Sequence, residues 1–391
     1  MNEKHLKTIA YYLAFILLGL GSGVEGPTLL KLAEHTGSAL AQISQIFFFG
    51  SLGYLLGSLL GGWMYDRVPG HRFMAGVLVL LGILIALVPV ANSLWILLVI
   101  VLVLGLTKGA LDVGCNTLLL WVHNETVGPF MNGLHSFFGL GAFVAPLIVA
   151  RVLSATGDIH WAYWVFAIAA FPIAAFIWSL PSPASRSVPA QHAHAPFPIL
   201  PVILMVLCFL LYVGGEVGYG NWIATYAVKL NFGTQVTAAY LTSAFWGSFA
   251  IARLFGVWVS TRLKPITILS IDFAGCLVSL GLLIFFQSSA TMLWVGTILF
   301  GIFQASIFAT FMALAEERMH ITGTIAGWFL LGAGTGGMIL PWLIGQVFEP
   351  WGARAMMSLI FANALLNILM FVLFTRTSSK PGSVVQLTTA D

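Results

Sequence analysis

Charge is what this sequence has least of. Asp, Glu, Lys and Arg make up 7% of its 391 residues and hydrophobic residues 59%, where a soluble domain carries about a quarter charged residues. A folded chain of this length must cover a large surface with polar groups if it faces water. The shortage therefore excludes an ordinary soluble protein and makes lipid the solvent for most of the chain. Cysteine is scarce too. Cys115, Cys208 and Cys276 stand far apart in apolar runs, which excludes a disulfide framework or a thiolate metal site and leaves small apolar packing. The net charge of +3 is scattered over short loops, so no basic patch for nucleic acid is expected. No nucleophile–base pair and no metal-ligand spacing stands out, which argues against an enzyme and against a resident cofactor or metal. His192 and His194 come nearest to a metal tract, and two histidines on a linker rarely make a site.

What the chain has instead is long hydrophobic runs. Crossing a bilayer core takes about 20 apolar residues. On that ruler there are twelve spans, at 8–31, 41–64, 72–90, 94–121, 129–152 and 161–180, then 198–228, 236–260, 266–286, 291–313, 322–345 and 354–375. Between the two sets of six lies "PSPASRSVPAQHAHAPFP", rich in proline and small polar residues, as expected of a linker. The expected division is a six-helix bundle at 1–180, a cytoplasmic linker at 181–197, a second six-helix bundle at 198–376 and a cytoplasmic tail at 377–391. Lys4 and Lys7 precede an apolar run in the manner of a signal peptide, but the run continues to Lys31 without a small-residue cleavage site. A retained first span is expected. Loop Lys and Arg fix the orientation: ten lie on the side of the N-terminus and four on the other, which places both termini in the cytoplasm.

The two sets of six match each other. Gly139, Gly141 and Pro146 recur 195 residues later as Gly334, Gly336 and Pro341, and Gly53 and Gly62 recur 194 later as Gly247 and Gly256. A parallel duplication of six helices is the arrangement of the major facilitator fold, with its substrate site between the halves near the midplane. The expected fold class is thus an all-α integral membrane protein of twelve transmembrane helices in two pseudo-symmetric bundles. "GWMYDRVPGHR" (62–72) resembles that fold's G-x-x-x-D-R/K loop signature. Asp66 and Arg67 are expected to latch the halves on the cytoplasmic side, with Arg253 in the same charge cluster.

Ionisable residues inside spans are functional candidates, because their burial is costly unless they are paired or wet. They are Glu25, Lys108, Asp112, Glu216, Arg253 and Asp272; for Asp272 a latch role is favoured over coupling. Glu25 and Glu216 correspond through the repeat, each one turn from a glycine (Gly21 and Gly220) in swapped order. Lys108 and Asp112, at i,i+4 on span 4, share a helix face and can pair. Either they are a neutralised pair that lets the span insert, or Lys108 holds Asp112 ionised in one state and releases it in another. Asn116, His135, Asn221, Trp222, Trp246, Gln304 and Trp328 complete a candidate substrate pocket with Glu216. Amides, carboxylates and imidazole suit sugar hydroxyls, and indole suits the apolar sugar face. Core packing or a lipid-facing position is the competing role for each tryptophan, and a satisfied structural histidine for His135.

"LDVGCN" (111–116) resembles the acid-then-asparagine segment of the fucose–proton symporter group, with Glu25 at the place of that group's span-1 aspartate. "GPTLL" (26–30), "SLGYLLGSLLGG" (51–62) and "LHSFFGLGAFVAP" (134–146) more closely resemble the sodium-dependent glucose transporter branch. That resemblance implies a hexose-type substrate and coupling to H⁺ or Na⁺ through Glu25, Asp112 and Lys108. The acids are interchanged in length and Lys108 is an added cation, so the coupling ion stays open. A monomeric uptake carrier in the cell membrane is the leading expectation. A proton-coupled exporter of drugs or metabolites with the same fold is the main alternative, and a sensor that binds without turnover is a weaker one.

Overall fold

The computed structural model describes residues 3–184, 198–319 and 321–377. The described residues are overwhelmingly helical and form twelve spans in order. Span 1 is Glu3–Gly23 with Glu25–Thr36, span 2 Leu40–Ile43 with Gln45–Tyr65, and span 3 Gly70–Leu87 with the 3-10 turn Val88–Val90. Spans 4, 5 and 6 are Leu94–His123, Gly128–Thr156 and His160–Ser179. Spans 7, 8 and 9 are Ile199–Lys229, Gln235–Ser260 and Pro265–Phe285. Span 10 is Ala290–Gln304 with Ile307–Arg318, and spans 11 and 12 are Gly323–Phe348 and Arg354–Thr377. The helices outrun the apolar stretches because their ends have their own support. Lys7 pairs with Glu3 at 2.7 Å and Lys31 with Glu34 at 2.9 Å, turn-spaced pairs that carry span 1 beyond the hydrocarbon. Thr234, Ser289 and Thr322 cap the starts of spans 8, 10 and 11, and Gly37 and Gly157 end spans 1 and 5 in the left-handed conformation. Eleven of the twelve are apolar enough to cross a membrane; span 8 falls short. Most of the expected linker, with His192 and His194, and nearly all of the expected tail lie outside the described residues.

The repeat is visible in the packing. Gly141 of span 5 lies against the backbone of Ile16 and Leu20 in span 1, and Gly336 of span 11 lies against Leu210 and Gly214 in span 7. Gly105 of span 4 meets the Gly50 carbonyl of span 2, and Gly301 of span 10 meets the Phe245 carbonyl of span 8. These are equivalent contacts in the two halves. Small residues let the helices approach in a solvent that supplies no hydrophobic drive between them. Cys115, Cys208 and Cys276 are free and buried, as packing residues should be.

Two spans break near their middles, each for a local reason. In span 1 the helix falters at Val24. Pro27, three residues on, has no N–H to offer the Gly23 carbonyl. In span 10 the break is at Ala305–Ser306, and the Gln304 carbonyl accepts instead from the Tyr212 hydroxyl of span 7 at 3.0 Å. Breaks of this kind survive in lipid only where something else satisfies the backbone.

The halves close on the side away from the termini. There Glu349 accepts from the Leu40 backbone N–H at 2.8 Å, and Gln346 donates to the Ala41 carbonyl at 2.8 Å and to Ser44 Oγ at 3.1 Å. Gly26 of span 1 lies against the backbone of Gly220 and Asn221 in span 7. Midway, Ser243 of span 8 donates to the Phe143 carbonyl of span 5 at 2.8 Å. Toward the terminal side, Leu254, Phe255, Trp328 and Leu331 of spans 8 and 11 are exposed. One turn toward the termini from the contact of Leu55 in span 2 with Gly334 in span 11, Leu59 and Leu331 are both exposed, so the halves stand apart on that side.

Candidate functional site

Span 1 and span 4 build the first cluster. Lys108 Nζ lies 2.6 Å from Glu25 Oε1 and 2.8 Å from the Gly21 carbonyl. The break at Val24 brings that carbonyl within reach, and Gly21 makes room: a Cβ there would stand 3.2 Å from Lys108 Cε. The glycine one turn before Glu25 thus has a purpose, to seat the lysine. The Lys108 side chain is 11% and the Glu25 side chain 31% exposed, so the lysine is sealed while the acid keeps an opening. That opening is a small, largely apolar cavity lined by Glu25, Ile46, Ile85, Val101, Tyr163 and Phe166 among others. It lies within the N-terminal bundle and not between the halves.

The expected Lys108–Asp112 pair is not formed. One turn along span 4, Asp112 takes a hydrogen bond from the Tyr54 hydroxyl of span 2 and another from Asn116 Nδ2 at 3.0 Å. The i,i+4 spacing permits pairing, but a partner across the bundle satisfies Lys108 more fully, supplying a carboxylate and a backbone carbonyl at once. Tyr54 is a residue the sequence did not single out, since nothing distinguishes a tyrosine in an apolar run until its neighbour is known. Leu55, beside it, packs on Gly334 of span 11, so this second acid stands next to a contact between the halves.

The second half is arranged differently. Glu216 stands one turn after Tyr212 on span 7, half-buried and within reach of the charge of Arg253. Arg253 also acts on His135 of span 5, and its guanidinium rests over the Phe249 ring at 5.0 Å. In this conformation, parted on that side, Arg253 does not meet Asp66 or Arg67. Asp66 is exposed, and Arg67 folds back on its own helix, 4.3 Å above Trp63 and donating to the Trp63 carbonyl at 3.0 Å. The side chain of Arg253 is long enough to run up span 8 toward the midplane, where an unmatched acid outweighs an exposed one. Asp272 is buried in this conformation and accepts from Ser306 at the span 10 break.

Several expected pocket residues have other duties. Trp222 is wholly buried, stacked on Phe348 at 5.1 Å and near Phe47 at 6.0 Å, with its indole N–H given to the Pro341 carbonyl at 2.8 Å. Phe47 belongs to the first half and Phe348 to the second, so Trp222 and the adjacent Asn221 are part of the far-side closure. In this conformation neither has a face free for substrate. Trp246 is buried against Gly220, Phe245 and Phe249. Gln304 faces a cavity inside the C-terminal bundle with Asn363 and Asn367, where its Oε1 and Asn367 Oδ1 have no partner. Trp328 is exposed near the terminal-side start of span 11. His135 is exposed while in edge contact with Phe15 at 5.6 Å, which fits a wall of the open space. Among the described residues no group of three or more His, Cys, Asp or Glu is placed to hold a metal ion.

Comparison with known proteins accords with this architecture. The sodium-dependent glucose transporter 1 of Xenopus laevis is 31% identical over 83% of this chain and 72% of its own length. That of Danio rerio is 29% identical over 97% of this chain and 71% of its own length. Among solved structures, the nucleoside transporter NupG superposes with a TM-score of 0.73 at 15% identity, covering 96% of this chain and 99% of its own. A bacterial homologue of the human lysosomal transporter Spinster superposes with a TM-score of 0.76 at 14% identity, covering 97% and 98%. These structural likenesses show the fold. Residues 11–341 match the Major Facilitator Superfamily, and with two six-helix halves closed at one end and parted at the other, this multi-pass membrane chain is a transporter belonging to that family.

Proposed function

We propose that this protein is a secondary carrier that takes up a hexose-type sugar by alternating access, driven by H⁺ or Na⁺. The observation that carries the coupling is the Glu25–Lys108–Gly21 cluster. A carboxylate and an ammonium 2.6 Å apart at a broken helix form a pair whose partner can be exchanged. A proton or Na⁺ at Glu25 loosens its hold on Lys108, and Lys108 in turn loosens the Gly21 carbonyl. Charge state and helix geometry are thereby linked, which is what a coupling site requires. Asp112, held by Tyr54 and Asn116, is a second proton-accepting group one turn away. The sugar reading is supported by relatives named as glucose transporters and by donors and acceptors around the space between the halves. The Lys and Arg bias supports cytoplasmic termini, and on that reading the conformation described here faces inward.

The test is uptake into proteoliposomes holding purified protein, with a panel of hexoses and with pH and Na⁺ gradients imposed separately. Accumulation of a hexose above equilibrium under one gradient, collapsing when that gradient is dissipated, is the expected result. Gradient-driven extrusion of hydrophobic cations with no sugar uptake would establish the exporter in its place.

A further inference from the structure

Arg253 is an expensive residue with no evident return. A guanidinium near the membrane midplane is costly to bury, yet Arg253 makes no ion pair among the described residues and rests over the face of Phe249. Its position follows from a helix crossing. Gly139 of span 5 lets Ala250 of span 8 come close, a Cβ on Gly139 standing 3.2 Å from that of Ala250. The two helices run in opposite directions, so His135 and Arg253 both lie about one turn to the terminal side of the crossing. On span 7, Gly220 packs under Trp246, and Glu216 is one turn below it on the same face. These two crossings, with the Arg253 side chain running back over Phe249, bring its guanidinium to the level of Glu216, Tyr212 and His135 and within electrostatic reach of them. His135 is exposed, while Glu216 and Arg253 are partly so. A donor-only cation, an acceptor-only anion and an imidazole therefore border one open space from both halves, the cation and anion close but not paired.

We propose that Arg253 is a substrate-binding residue and that it forms, with Glu216 and His135, a clamp for adjacent hydroxyls of a neutral polyol; the proposal rests on the sugar reading above. A vicinal diol is both donor and acceptor at neighbouring positions. It accepts hydrogen bonds from the guanidinium, donates hydrogen bonds to the carboxylate, and bridges the two where they do not meet. An anionic ligand would satisfy Arg253 but face Glu216, and an apolar one would leave both unsatisfied. His135 belongs to the first half and Arg253 and Glu216 to the second, so an occupied clamp ties the halves together at the centre. The empty clamp leaves them free to part.

The test measures binding of D-glucose, its 2-, 3-, 4- and 6-deoxy analogues and D-glucuronate to purified protein by titration calorimetry. The variants are Arg253→Gln, Arg253→Lys and Glu216→Gln, each checked for folding by size exclusion and thermal melting. Arg253→Gln is expected to weaken D-glucose binding about 5- to 100-fold, the loss of one charged hydrogen-bonding partner. It should also abolish discrimination against one particular deoxy position, with partial recovery in Arg253→Lys. Unchanged affinity and an unchanged deoxy pattern in folded Arg253→Gln overturn the clamp. An equal loss for every analogue makes the residue structural. Tighter binding of D-glucuronate than D-glucose, lost in Arg253→Gln, replaces the neutral polyol with an acid. Wild-type protein that binds no hexose sinks the sugar reading itself, a result distinct from any change confined to the variants.

Discussion

A single ammonium, that of Lys108, satisfies a carboxylate and a backbone carbonyl on another helix, and the two demands cannot be separated by mutation at one end alone. Removing Lys108 leaves Glu25 without its cation and Gly21 without its donor. Breaking a buried pair costs about 3–5 kcal/mol; with the Glu25 side chain 31% exposed, Lys108→Ala should destabilise by about 1–3 kcal/mol. Glu25→Gln keeps the shape and an acceptor but cannot ionise. It should therefore fold normally, exchange substrate down a gradient and fail to accumulate it. Uphill uptake by Glu25→Gln, measured in proteoliposomes, would take Glu25 out of the coupling role. At this scale the sequence was legible where cost speaks: an acid or a base in an apolar run announces itself, and Glu25, Lys108, Asp112, Glu216 and Arg253 were all found that way. Their partners were not legible. Lys108 pairs with a residue 83 positions away rather than 4, and only the packing of spans 1 and 4 decides that.

Among elements, the loop between spans 5 and 6 has an electrostatic character of its own. Asp158 lies 2.9 Å from His160 and 3.4 Å from His35, the last at the end of span 1. Partial burial pushes the Asp158 carboxyl up, but the Ile159 backbone N–H at 2.6 Å and the two imidazoles outweigh it and hold it below its ordinary value of 3.8. A lowered value in the folded state means stability that is present above the unfolded pKa and lost as pH falls through the folded one. Thermal melts taken downward from pH 5 should therefore lose stability below about pH 4, and Asp158→Asn should flatten that part of the profile. An identical acid slope in the variant would assign the loss to other carboxylates. Element boundaries were readable from the apolar runs, whereas the breaks in spans 1 and 10 were not. Pro27 gives a reason for the first once the helix is seen, but the second rests on Tyr212 reaching the Gln304 carbonyl from another span.

In the molecule as a whole, closure on the far side depends on very little room. A Cβ on Gly26 would come within 2.9 Å of Asn221 Cα and of the Gly220 carbonyl oxygen, and neither backbone has a flexible end to move aside. Gly26→Val should hold the far side apart, raising the reactivity of a cysteine placed at Leu40 toward a membrane-impermeant thiol reagent. No rise would show that the far ends part along another line. The twelvefold count and the duplication were legible because both are periodic, and glycines at a constant offset mark helix crossings directly. The closure was not, since Asn221 and Trp222 look like pocket residues until Phe47 and Phe348 are found around them.

Span 8 was the one helix whose own hydropathy falls short of the others, and it carries Arg253, a residue that costs about 2.5–3.5 kcal/mol at a helix centre. This has a consequence for how the protein is made. A chain leaves the ribosome in order, and when span 8 emerges its neighbour span 10, with Gly301 under Phe245 and Ser248, has yet to be synthesised. The first half is already in the membrane, offering Phe143 and Gly139 to Gly247 and Ala250. The N-terminal bundle is thus in place to pack against the least apolar helix of the C-terminal bundle as that helix is made, which the reverse order of the two halves would not allow.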